Sequence, residues 1–291
     1  MGGLTGSIAA VYWLLALSVV SLWWPPLGGR VPAWPVLLAA TIAVACGAGF
    51  VAPTGVAALL MLAAFCHVRQ RSGSTVARAL LLTAIIVLAL ALALHKVPGF
   101  ANPLLLQGVQ VSPGAAPVTQ YLNVDKAAVG ILLCAYFCAP GRRRADWCAL
   151  RPAWPIVLAT PVVVLAGALL SGTVALDPKL PPFTPLFLVT NLLFTCVAEE
   201  AFFRGVVQGG LLHALAGKRH GPAVAIGVAS VLFGIAHAGG GVAMIVLATL
   251  AGIGYGLAAW RSGRIEAAIL THFLVNALRF LLVTYPLLVQ A

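Results

Sequence analysis

Charge is what this sequence has least of. Only 8% of its 291 residues are Asp, Glu, Lys or Arg, against 62% hydrophobic. That balance excludes a soluble domain and places the chain among polytopic membrane proteins. No polar stretch is long enough to fold separately, so no soluble module is expected. Acid is scarcest: six Asp and Glu stand against 17 Lys and Arg, for a net charge of +11. In a soluble protein that excess would suggest nucleic acid. Here the basic residues cluster in short loops between apolar spans, as topology signals do, and no aromatic–basic stripe accompanies them. No nucleic acid partner is expected. A disulfide framework is also missing: of Cys46, Cys66, Cys134, Cys138, Cys148 and Cys196, five lie in apolar spans and act as small hydrophobes. No basic residue precedes Ile8. The expectation is therefore a retained first span over Ile8 to Trp24 rather than a cleaved signal peptide.

What is present is a succession of apolar runs. The expected fold class is all-α, a polytopic transmembrane helical bundle of about ten spans (8–10): 8–24, 34–51, 54–68, 76–94, 127–140, 154–175, 184–216, 222–238, 242–260 and 265–285. The third and fifth are short for a hydrocarbon core of roughly 30 Å. Trp23, Trp24, Trp34, Trp154 and Trp260 fall at span ends, where indoles prefer the interface. The basic residues test the count. Loops on one side hold twelve: Arg30, Arg69, Arg71, Arg78, Arg142, Arg143, Arg144, Arg151, Lys218, Arg219, Arg261 and Arg264. Loops on the other hold three: Lys96, Lys126 and Lys179. This bias puts both termini outside the cytoplasm. The longest polar connection, His95 to Lys126, is expected to cover the bundle or touch substrate, with Leu104–Leu106 as a short interfacial helix and Asp125–Lys126 as a local ion pair.

From Asn191 onward, polar groups appear inside spans. Glu199 and Glu200 are adjacent, and Arg204 follows four residues after Glu200. The flanks, Leu186 to Ala198 and Val206 to Leu215, hold no Asp, Glu, Lys or Arg. A charge within the bilayer costs at least a few kcal/mol, so such groups mark a working site. Residues four apart on a helix share a face, so Arg204 can neutralise Glu200. Glu199 lies about 100° round the helix. There it can serve as a general base, its proton affinity raised by poor solvation. A structural ion pair alone would account for Glu200 and Arg204 and leave Glu199 without a role. His237 stands on the eighth span before Gly239, Gly240 and Gly241, and His272 and Asn276 share a face of the tenth. Each alone fits ordinary helix–helix hydrogen bonding. Together they can activate a water and stabilise an oxyanion, which suits amide hydrolysis. Asn191, two turns before Glu199, is a possible further member.

These motifs resemble those of the CPBP family of intramembrane glutamic proteases, also called the ABI or type II CAAX prenyl endopeptidase family. The resemblance rests on Glu199-Glu200-x-x-x-Arg204 with Phe203-Arg204-Gly205, then Phe233-x-x-x-His237, then His272-x-x-x-Asn276. It covers about 100 residues of the C-terminal half. It implies that Glu199, with His237, activates a water, that His272 and Asn276 hold the oxyanion, and that Arg204 positions Glu200. The implied substrate is a membrane-anchored protein or peptide, cut near its anchor or C-terminal tail in the lipid bilayer. No cofactor is expected. Zinc is not excluded, because two His and a Glu can bind it, but there is no His-Glu-x-x-His and Asn is a poor ligand.

Residues 1–153 are expected to be scaffold and 154–291 the protease core, in a prokaryotic inner or plasma membrane. Rivals from other classes are a transporter relaying protons and a non-catalytic bacteriocin-immunity-type protein. One inconsistency stands. Glu199 is 19 residues before Lys218 and His237 is 18 after Arg219, which at 1.5 Å per residue puts each roughly 28 Å from that loop. His272, eight after Arg264, comes out roughly 12 Å deep. Either a helix is broken or tilted, or the span ends lie elsewhere.

Overall fold

The computed structural model describes Leu4 and residues 6–288. Ten helices correspond to the ten expected spans: α1 (Gly6–Val20), α2 (Trp34–Gly47), α3 (Pro53–Arg71), α4 (Thr75–Ala93), α5 (Val124–Phe137), α6 (Trp154–Leu170), α7 (Thr184–Ala214), α8 (Gly221–Ile235), α9 (Gly241–Ser262) and α10 (Ile265–Leu282). Among the described residues six helical stretches are long and apolar enough to cross a bilayer: Gly6–Trp23, Thr75–Ala93, Arg144–Leu170, Thr184–Ala214, Ala238–Ser262 and Ile265–Leu282. α2 and α8 are apolar but shorter. The two that meet neither description are α3, which ends on Arg69 and Arg71, and α5, the short third and fifth spans of the sequence reading. The protein is an integral membrane helical bundle.

The chain forms two compact units. One comprises Met1–Gln107, Gln120–Cys138 and Leu193–Ala198; the other comprises Gly108–Thr119, Ala139–Leu192 and Glu199–Ala291. In the first unit α1 packs on α2, and α3 on α4 and α5. Gly130 of α5 lies against Ala198 of α7: a Cβ at Gly130 would stand 2.6 Å from the Ala198 Cα. None of the six cysteines is in a disulfide.

One expectation for the connection between α4 and α5 is corrected. Leu104–Leu106 opens a β-strand (Leu104–Val109) paired with Val118–Tyr121, not an interfacial helix. The turn chemistry of Ser112-Pro113-Gly114 brings the chain back on itself, and ladder bonding then satisfies backbone groups that three leucines alone cannot. Asp125 is fully buried and bonds His95 Nδ1 at 2.6 Å and the Asn102 amide at 3.0 Å. A buried carboxylate needs several donors, and its neighbour in sequence cannot supply them all.

The second unit is built on small residues facing inward and large ones facing outward. Along α9, Val242, Val246, Leu250 and Ile253 are exposed at three- and four-residue spacing, while Ala248, Ala251, Tyr255 and Ala258 are buried. An exposed apolar stripe of this kind is a lipid-facing surface. The inward side permits close approach. A Cβ on Gly252 would stand 3.1 Å from the Ser230 Cα, and one on Gly234 2.7 Å from the Ile245 carbonyl oxygen. α9 and α10 form a hairpin through Gly263, whose φ of +67° is the left-handed region that glycine adopts without strain. Val164, Phe203, Phe233, Ala251, Tyr255 and Val275 meet in the core.

Candidate active site

α7 is not a uniform α-helix. Asn191–Cys196 and Ala201–Gln208 are wound as π-helix, with Val197–Glu200 as a single α-turn between them. A π-turn carries more residues for less rise, and such insertions recur at functional sites. The carboxylates therefore sit on the one α-helical turn between two widened ones. The widened turn after Glu200 brings Glu199 somewhat nearer the following loop than 1.5 Å per residue gives, while His272 is counted along α10, which is a regular α-helix. His237 also differs from expectation: it lies in the turn after α8, with φ −100° and ψ 14°, not within the helix. The run Gly239-Gly240-Gly241 that follows has no side chains to extend the apolar face.

The two carboxylates are in different circumstances. Glu200 is fully buried and both its oxygens are engaged. Oε2 accepts from Arg204 Nε at 2.9 Å, and Oε1 meets His272 Nδ1 at 2.8 Å. Arg204 is only 4% exposed. Its Nη1 lies 3.5 Å from Gln208 Oε1, while Gln208 Nε2 donates to the Gly256 carbonyl at 3.0 Å. The guanidinium also lies within 6 Å of the Phe233 and Tyr255 ring centroids, at 5.7 and 5.9 Å. Tyr255 in turn stacks on the His272 ring at 4.6 Å and 14° between planes. Glu199 keeps 17% of its side chain exposed, and its Oε2 stands 3.8 Å from His272 Nε2. That separation is too long for a direct hydrogen bond and suits a bridging oxygen.

A cavity opens beside this network, lined chiefly by apolar side chains and by His237, His272, Asn276 and Arg279. His237 Nδ1 is 2.8 Å from the Phe233 carbonyl oxygen. A carbonyl only accepts, so Nδ1 carries the proton there and Nε2 presents a lone pair when the ring is neutral. Asn276 Nδ2 lies 3.3 Å from Asn191 Oδ1. Thr173, Val174, Val283 and Leu287 complete part of the lining. They belong to segments tied together by the Leu176–Val283 bridge and by Asp177, whose carboxyl is held below its usual range first by the Ser112 hydroxyl and then by Lys179.

Of the residues singled out from sequence, Glu199, Glu200, Arg204 and His272 form one contact network. His237, His272 and Asn276 line one cavity, and Asn191 touches Asn276. His272 is the group common to both sets. Tyr255 and Gln208 were not assigned to the site from sequence, and Phe233 was quoted there only as the first residue of the Phe233-x-x-x-His237 motif. Gln208 continues the four-residue spacing of Glu200 and Arg204, and Tyr255 stands between Gly254 and Gly256; both were readable signals. Among the described residues no three His, Cys, Asp or Glu side chains are grouped to ligate one metal ion.

Residues 181–278 match the family model described as Type II CAAX prenyl endopeptidase Rce1-like. This segment is of the CAAX protease family. All three motifs, from Glu199 to Asn276, lie inside it, as do Gln208 and Tyr255. The family's activity, proteolysis within the membrane, is what the match brings to this segment. No curated protein and no solved structure matches the chain.

Proposed function

We propose that the chain is an intramembrane endopeptidase of glutamic type. It cuts a membrane-anchored protein or peptide near its anchor or C-terminal tail, with residues 154–291 as the protease core and 1–153 as scaffold. The observation that carries this is the division of labour between the two carboxylates. Glu200 spends both oxygens on Arg204 and His272, whereas Glu199 faces His272 Nε2 across 3.8 Å with part of its surface open.

In the reaction, Glu199 takes a proton from water as the water oxygen bonds to the scissile carbonyl carbon. His237 orients that water through Nε2. The carbonyl oxygen becomes an oxyanion, held by an Asn276 amide N–H and by His272 Nε2–H when the ring is protonated. Collapse breaks the C–N bond, and the proton held on Glu199 passes to the departing amine. Glu200 and Arg204 act through His272, fixing its ring against Tyr255. The apolar cavity receives apolar residues of the substrate.

The test is co-expression of anchored substrates with the wild-type chain and with Glu199→Gln, followed by mass spectrometry of the tails. Cleavage is expected to fall at least 10³-fold in the variant, the scale of losing a general base together with the water it positions. Retained cleavage by Glu199→Gln refutes the assignment. A chelator is expected to leave the purified enzyme's rate unchanged, and a loss restored by zinc would favour the metal-dependent alternative.

A further inference from the structure

His272 is held from two sides, and both holders lead back to one residue. On one side Glu200 Oε1 lies 2.8 Å from His272 Nδ1, and Arg204 Nε donates to Glu200 Oε2 at 2.9 Å. On the other the Tyr255 ring stacks on the imidazole. Gln208 joins the two. Its Oε1 accepts from Arg204 Nη1 at 3.5 Å, and its Nε2 donates at 3.0 Å to the carbonyl of Gly256, the residue after Tyr255. The contacts close a ring that runs from His272 through Glu200, Arg204 and Gln208 to the Tyr255–Gly256 pair and back.

The place calls for an amide. A guanidinium only donates and a carbonyl only accepts, so the group between them must accept at one end and donate at the other. Gln208 is buried, so its own polar ends also need those partners. Arg204 Nη2 has no hydrogen-bond partner among the described residues, which leaves Nε and Nη1 to set the guanidinium by hydrogen bonding. The approach of α7 to α9 is shaped for the same contact. A Cβ at position 256 would stand 2.7 Å from Gln208 Oε1 and 3.4 Å from Arg204 Nη1.

What the ring of contacts fixes is the plane of the imidazole. Glu199 Oε2 stands 3.8 Å from His272 Nε2, and an oxygen between them is bonded to both only while Nε2 points at it. A misplacement of about 1 Å at a reacting centre can cost about 10²-fold in rate.

We propose that Gln208 is a positioning residue: it couples the carboxylate that binds His272 to the helix that bears Tyr255, and so aims the imidazole at Glu199. This rests on the proteolytic reading of the same site.

Two variants of the full-length protein in micelles test it, after thermal unfolding has set a temperature at which both are folded. Gln208→Leu removes both hydrogen bonds. Gln208→Glu carries its own rescue. Protonated, its carboxyl donates to Gly256 and accepts from Arg204 as the amide does. Ionised, it only accepts, so it repels the Gly256 carbonyl and competes with Glu200 for Arg204. The first measurement needs no substrate: nitrogen NMR of labelled histidine, with the His272 signal assigned by its loss in His272→Gln. That signal is expected to move in Gln208→Leu while those of His67 and His95 stay. The second is cleavage relative to wild type at the same pH. Gln208→Leu is expected to lose at least tenfold in kcat at every pH, with KM little changed. Gln208→Glu is expected to be near wild type in acid and to fall at least tenfold towards neutral pH. A residue that only packed would give the same ratio throughout. An unmoved His272 signal in Gln208→Leu overturns the proposal whether or not cleavage is seen, and so does a pH-independent ratio in Gln208→Glu. Absence of cleavage by the wild type, with the His272 signal moved in Gln208→Leu, would instead sink the protease reading and leave Gln208 as the group that orients His272.

Discussion

Glu199 and Glu200 are neighbours in sequence with opposite duties, and side-chain exposure distinguishes them. Glu200, with no accessible surface, is held between Arg204 and His272. Converting it to Gln removes the negative charge and leaves the guanidinium buried without compensation. Breaking a buried pair in this way costs about 3–5 kcal/mol. Glu200→Gln is therefore expected to lower the thermal midpoint markedly and to reduce cleavage. Glu199→Gln is expected to abolish cleavage with the midpoint nearly unchanged. Measuring both quantities on both variants checks the split, and equal destabilisation by the two would refute it. The sequence made half of this legible. The Glu200–Arg204 pair follows from four-residue spacing on a helix. The His272–Glu200 bond links positions 72 apart, and no local period reports it. For the same reason the stacking of Tyr255 on His272 was not foreseen.

At the scale of elements, apolar run lengths located ten helices, six of them among the described residues long and apolar enough to cross a bilayer. What run lengths cannot convey is helix winding. The π-helical turns on either side of Glu199–Glu200 have no signature in hydropathy. The turn placing His237 beyond α8 was marked only by the glycines after it. Likewise, the strand at Leu104–Val109 was hidden because a leucine triplet suits helix and strand equally. The helix pair α5 and α7 offers a test of how tightly the α-turn is seated. Within their unit, Gly130 leaves room for Ala198, the residue before Glu199, and a side chain at 130 would collide with its backbone. Gly130→Leu is expected to cost about 1–3 kcal/mol by overpacking. It should also slow cleavage beyond what the stability loss explains, because Ala198 and Glu199 share one turn. Gly47→Leu, where a Cβ meets nothing within 4 Å, is the control and should leave the rate alone. An unaltered rate in Gly130→Leu would show that the turn tolerates displacement.

For the whole molecule, the charge that is so scarce is also very unevenly placed. Twelve Lys and Arg fall in loops on one side of the ten-span order and three on the other. Cytoplasmic loops tend to retain such residues during insertion. We propose on this ground that the richer side faces the cytoplasm and both termini lie outside. Single cysteines placed in the loops of a variant lacking the native six provide the measurement, read with a thiol reagent that does not cross the bilayer. Ser72→Cys, in the loop after Arg69 and Arg71, is expected to resist labelling in intact cells and to react after lysis. Ala101→Cys, in the connection between α4 and α5, is expected to react in intact cells. The pair isolates the step that matters most, since α4 is the one span separating them. α4 is also among the six helices long and apolar enough to cross unaided. Both loops labelling from the same side would mean that α4 does not cross, and the alternation of basic loops would lose its meaning. The opposite pattern would invert the chain in the membrane while leaving the Glu199 site intact, because the site is defined by contacts within its own unit rather than by the side from which water arrives.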